Sequence, residues 1–181
     1  MKKIAFILFL CSFVIGQTVV PVTIDLDKSY LTYDGNHPAH KWSGTSNQIM
    51  GSFLYNKSNP ELSTVDLYVP VITIDSKNSN RDSNMLDVVE DYFYPVVRFT
   101  SSKIEKKNNR YQINGEINFH GVKKEISIPV DLHIDGDILT VESIFDIKLT
   151  DYNIKRPSLL TMKIKDMIQI RFYLLGYLRS M

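Results

Sequence analysis

"YQINGEINFHGVKKEISIPVDLHID", Tyr111 to Asp135, is the stretch on which the fold turns. Tyr111, Ile113, Ile117 and Phe119 share one parity with Gly115, while Gln112, Asn114, Glu116, Asn118 and His120 take the other. Past Gly121-Val122-Lys123-Lys124 the alternation resumes in Ile126, Ile128, Val130, Leu132 and Ile134. Successive side chains point to opposite faces of a strand, so each run has one greasy and one wet face. Two such runs joined by a short Gly-containing connection predict an antiparallel hairpin. The question is what the greasy face touches, a packed core or something that is not protein.

The same alternation recurs outward from this hairpin. Upstream it marks Val19–Asp25, Ser29–Asp34, Trp42–Asn56, Val65–Asp75 and Val96–Lys107; downstream it marks Ile138–Leu149 and Met167–Leu175. Trp42–Asn56 reads as one long bent strand or a tight pair. Pro70 inside Val65–Asp75 predicts an edge or a bulge, because proline cannot donate to a ladder. About eight strands at hairpin-like spacing make the chain all-β, a single antiparallel barrel or sandwich. One segment departs from period two. Met85, Val88, Val89 and Tyr92 recur at helical spacing, with Asp82 or Ser83 available as N-cap and Pro95 as terminator. This predicts one short helix, Ser83–Phe93, whose apolar stripe lies on the sheet or caps a barrel end.

The chain of 181 residues begins "MKKIAFILFLCSFVIGQ". Lys2 and Lys3 precede an apolar run, Ile4–Ile15, that falls short of the roughly 20 residues a membrane-spanning helix needs. The expectation is a signal peptide over residues 1–16, cleaved after Gly16, and one domain over residues 17–181, periplasmic or secreted. Cys11 is the only cysteine; Leu10 before it is not the small residue that a lipoprotein signal requires, so lipidation is disfavoured. Without Cys11 the mature chain has no disulfide, thiolate ligand or thiol nucleophile. Cleavage removes Lys2 and Lys3 from 21 basic residues and leaves 19 against 20 acidic, a formal charge of −1. A nucleic-acid binder would carry a basic stripe, so that class is set aside.

The motifs resemble the YceI-like family. "NMLDVVEDYFYPVVRFTSSKI" is similar to the family's short helix, Tyr-Pro and following strand, here Tyr94-Pro95, Val97, Phe99 and Ser101. The opening hairpin resembles the next family segment. Asn36-His37-Pro38-Ala39-His40 resembles its Asp-Pro-x-His motif, and Ile49, Gly51 and Phe53 match the Val-x-Gly-x-Phe after it. "FDIKLTDYNIKRPSL" looks like its closing loop. Two positions depart from the pattern: Asn84 stands where the family has His, and His37 where it has Asp. The resemblance implies a lipocalin-like closed antiparallel barrel of about eight strands with one helix, exported from bacteria. It implies a lumen holding a long amphiphile such as a polyisoprenoid, an isoprenoid quinone or a fatty-acid derivative.

On that reading the lumen residues are Phe53, Phe99, Ile113, Ile117, Phe119, Ile128, Val130, Phe145, Ile147, Ile170 and Phe172, with Ile126, Val141 and Ile168 on the same parity. Gly115 is expected to leave space on the inner wall. Trp42, Tyr152 and Arg156 form the expected mouth, where Arg156 would hold an anionic head group. His37 and His40, with Asp34 nearby, lack a third ligand at a standard spacing, so no metal and no cofactor are assigned. His120 and His133 fall on the outward parity. No Gly-x-Ser-x-Gly elbow, His-Glu-x-x-His or phosphate loop points to an enzyme. Two readings stay open. One is a lipid-binding barrel. The other is a filled barrel making peripheral contact with the membrane or envelope proteins.

Overall fold

The computed structural model describes residues 18–159 and 161–178; the expected leader, its cleavage point and Cys11 lie outside the described residues. In chain order the elements are β1 (Val19–Ile24), β2 (Tyr30–His37), β3 (His40–Ser46), β4 (Met50–Asn56), β5 (Thr64–Pro70), α1 (Ser79–Val88), β6 (Val96–Lys107), β7 (Arg110–Phe119), β8 (Val122–Asp135), β9 (Ile138–Lys148), β10 (Ser158–Leu159), β11 (Met162–Lys163) and β12 (Met167–Leu178). Hydrogen-bonded neighbours run β1-β4-β5-β6-β7-β8-β9-β12. Val22 opposite Leu178 then returns β12 to β1 and closes a barrel of eight antiparallel strands. Closure removes most of the open edge that would otherwise pair with other chains, while β3 keeps an outer edge bridged, among the described residues, only at Thr45 to Asp75.

The stretch from Tyr111 to Asp135 forms the β7–β8 hairpin. Its connection is tighter than expected: His120 and Gly121 alone make the turn, with φ of 51° and 71°. Two central residues in the left-handed region match the twist of the flanking strands. On the inner face Tyr111 sits opposite Val130 and Ile113 opposite Ile128. β8 then meets β9 only from Asp131 to Asp135. Pro129 offers no N–H to continue that ladder. The opening above it is filled by the single turn Leu149–Tyr152, where Leu149 and Tyr152 are buried, together with Ile154.

The Trp42–Asn56 segment is the bent strand. It breaks at Asn47-Gln48-Ile49, and its halves never pair with each other: β3 pairs with β2, and β4 with β1 and β5. β2 likewise continues the line of β1 along β12. Pro70 is the last residue of β5, and Val71–Thr73 turn away as a short 3-10 helix.

The helix lies earlier than Ser83–Phe93. Asn78, not Asp82 or Ser83, is its N-cap and accepts from Arg81 N–H at 3.0 Å. The Asp82 carboxylate instead accepts from Ser76. The helix ends at Val88, and Glu90 takes φ 51° in the turn that follows. Tyr92 therefore leaves the helical stripe and stands 88% exposed, while Met85, Val88 and Val89 face inward. At the opposite end of the barrel Val20, Val22, Leu139 and Leu178 pack closely, all of them buried. Outside, Arg98–Asp66, Arg110–Asp131 and Arg171–Asp34 form two-pronged ion pairs between strands. Exposed pairs of this kind are screened by water and contribute little to stability.

Candidate ligand-binding cavity

The inward parity encloses a cavity of about 890 Å³, near the top of the roughly 300–1,000 Å³ common for small-molecule sites. It runs the length of β7, since Tyr111 near one end and Phe119 at the other both line it. Phe53, Phe99, Ile113, Ile117, Phe119, Ile128, Val130, Phe145, Ile147, Ile170 and Phe172 all stand on its wall, as do Val141 and Ile168. Ile126 is half-buried but does not line it. Gly115 leaves no recess: the Phe99 ring lies across it, 2.8 Å from where a Cβ would sit.

The expected mouth divides. Trp42 lines the cavity. It faces Gly35 across the β2–β3 ladder, and an added Cβ there would come within 2.3 Å of the indole. Tyr33 lies over Gly44 in the same way. Each glycine lets the facing ring lie flat on the wall, and Trp42 Nε1–H donates to Tyr33 Oη at 3.3 Å. Burial holds the Tyr33 phenol above its ordinary range. Tyr152 is not on the cavity wall. Only 3% exposed, it packs its ring 5.5 Å from Phe119 and plugs the gap between β8 and β9; burial pushes its phenol up to about 12. Arg156 also points elsewhere, donating to the Ile164 carbonyl at 3.3 Å with Asp166 3.9 Å away.

The histidines are more engaged than their parity suggested. His37 is buried; Ala39 N–H donates to its Nδ1 at 3.1 Å, so Nε2 carries the proton and donates to the Met162 carbonyl. That bond ties the short β10–β11 hairpin to the barrel end. The His40 ring lies tilted against those of His37 and Trp42, 5.5 and 5.3 Å away, and Asp34 is taken by Ser43 and Arg171. His120 is not solvated as expected: its ring, 12% exposed, bridges the Tyr152 carbonyl and Glu90. His133 is exposed. Among the described residues no group of three or more His, Cys, Asp or Glu is placed to hold a metal.

Polar groups gather where α1 meets the barrel. Tyr33, His37, His40, Trp42, Asn78, Asn80, Arg81 and Asn84 all line this part of the cavity. Among the described residues Arg81 is the single Lys, Arg, Asp or Glu on the lining. Its guanidinium lies over the Trp42 ring, 5.9 Å from the centroid. Sequence reasoning missed it. The signal was its place three residues after the Asn78 cap, which only the earlier helix start brings inward.

A closed eight-stranded antiparallel barrel with one helix and an apolar interior is a lipocalin-like barrel. Residues 22–175 match the YceI-like domain, and the chain belongs to the YceI-like family. It is 26% identical to protein YceI of Escherichia coli O157:H7 over 136 residues, 70% of this chain and 71% of that protein. The fold is similar to that of BcnA from Burkholderia cenocepacia, with a TM-score of 0.77 at 20% identity over 84% of this chain and 98% of that one. It is similar also to a polyisoprenoid-binding domain from Saccharophagus degradans, with a TM-score of 0.71 at 14% identity over 89% and 99% of the two chains.

Proposed function

We propose that the protein is exported and carries or sequesters one long amphiphile in its barrel: a polyisoprenoid, an isoprenoid quinone or a fatty-acid derivative. The observation that carries this reading is the continuous apolar cavity of about 890 Å³ along β7. Apolar area removed from water supplies roughly 25 cal/mol per Å², so a long tail binds without a polar motif along the tunnel. Family membership and the polyisoprenoid-binding neighbour from Saccharophagus degradans support it. Export rests on Lys2, Lys3 and the apolar run after them. The eleven wall residues from Phe53 to Phe172 grip the tail, and Trp42 lies at the polar end.

The test is the protein's own cargo. Protein purified after export from a bacterial host, without detergent, is extracted with organic solvent and compared by mass spectrometry with a mock purification. A stoichiometric isoprenoid or acyl species is expected. A clean extract from folded protein would overturn the carrier reading and favour a barrel that works through its outer surface.

A further inference from the structure

We propose that Arg81 is the head-group site of the cavity and that the ligand it selects is a long-chain carboxylate, an apolar tail with a single negative charge. This rests on the carrier reading above and narrows it.

Among the described residues the lining carries one Lys or Arg, Arg81, and no carboxylate. Arg81 is half-buried; its Nε is buried and has no hydrogen-bond partner among the described residues. The adjacent carboxylate, Asp82, is turned to Ser76 N–H and Oγ–H and does not pair with it. A buried donor on a cation without an acceptor is unfavourable, and a bound anion relieves it. The indole of Trp42 lies beneath the guanidinium, 5.9 Å from its central carbon to the ring centroid, and favours a cation there. Asn80 and Asn84, one turn apart on α1, line the same end and add neutral amide donors.

Charge and shape select the class. A guanidinium takes a carboxylate through two parallel N–H···O bonds. One cation balances one carboxylate. A diphosphate brings at least two negative charges to a site with one cation, leaving charge uncompensated against an apolar wall. A neutral alcohol or quinone leaves Arg81 unpaired.

The protein carries its own probe, because Trp42 is its only tryptophan and touches the site. Lipid-free protein is titrated with oleate, oleyl alcohol and oleyl phosphate, three heads on one tail, following Trp42 emission. Wild type is expected to hold oleate about tenfold or more tighter than oleyl alcohol, the scale of a charge-assisted hydrogen bond. Arg81→Gln is expected to abolish that preference, and Arg81→Lys to fall between. Far-UV circular dichroism establishes that the variants fold, and the wild-type comparison stands without them. Equal wild-type affinity for acid and alcohol, an acid preference that survives Arg81→Gln, or tighter binding of the phosphate would each overturn the head-group assignment alone. Failure of all three amphiphiles to bind would overturn the carrier reading as well.

Discussion

Leu139 and Phe145 share the inward parity of β9 but meet different surroundings. Leu139 is 0% exposed, opposite Ile134 and Gly176 in the packed end of the barrel. Phe145 is half-buried on the cavity wall. Leu139→Ala leaves a void in close-packed surroundings and should cost about 3–4 kcal/mol. Phe145→Ala removes more atoms and in a solid core would cost about 3–5 kcal/mol. Here one face of the ring looks into open volume, where it has no partner atoms to lose, and about 1–2 kcal/mol is expected. The larger truncation should therefore be the milder one by about 2 kcal/mol, or roughly 4–8 °C in Tm for a chain of this length. Urea and thermal unfolding of lipid-free protein, followed by far-UV circular dichroism, measure both. Equal losses, or a greater loss for Phe145→Ala, would mean that the barrel is filled and would refute the hollow-lumen argument.

Two further outcomes follow from the same geometry. Asn78→Ala should destabilise by about 1 kcal/mol through loss of the α1 cap, with Asn78→Asp restoring it; urea midpoints give the comparison, and an unchanged midpoint would remove Asn78 from the role. At Asp66 the hydrogen bonds from Arg98 hold the carboxyl below its ordinary range; at Asp34 burial pushes it up, but Arg171 and Ser43 outweigh burial and leave it lowered. A depressed folded pKa gives stability that is present above the unfolded carboxylate value of about 4 and lost as pH falls through the folded values. Asp34→Asn with Asp66→Asn should flatten the loss of stability below about pH 4, and a pH series of urea midpoints with an unaltered slope would contradict the assignment.

The strands were legible because alternation is a local property and each inward face is apolar. β6 begins and ends where its pattern does, and parity finds most of the inner set, although Ile126 shares it without lining the cavity. What failed depends on partners far away in the chain. Tyr152 and Arg156 looked like mouth residues from their loop, but the gap that Tyr152 fills exists only because β8 and β9 part above Pro129. The helix start was misplaced because Asp82 is a good N-cap in isolation, and nothing local says that Ser76 will occupy it. That shift hid Arg81, whose inward position depends on where the first turn begins. Gly115 reads as space in the sequence, which does not reveal that the Phe99 ring crosses from the neighbouring β6.

The closing seam between β1 and β12 carries a consequence for how the molecule comes to exist. Its contacts, such as Tyr177 Oη–H to Asp25 and the Ser29 hydroxyl to the Leu175 carbonyl, join residues 152 and 146 positions apart. A chain emerging from its amino end has made seven of the eight staves before the last one is available to seal them. Until then it is an open, curved sheet with two raw margins and a greasy inner surface, the kind of species that aggregates. Long-range pairing of this sort is slow because the connecting chain must be ordered first. Sealing thus waits for β12, and the interval before it is when the interior lies open along its whole length.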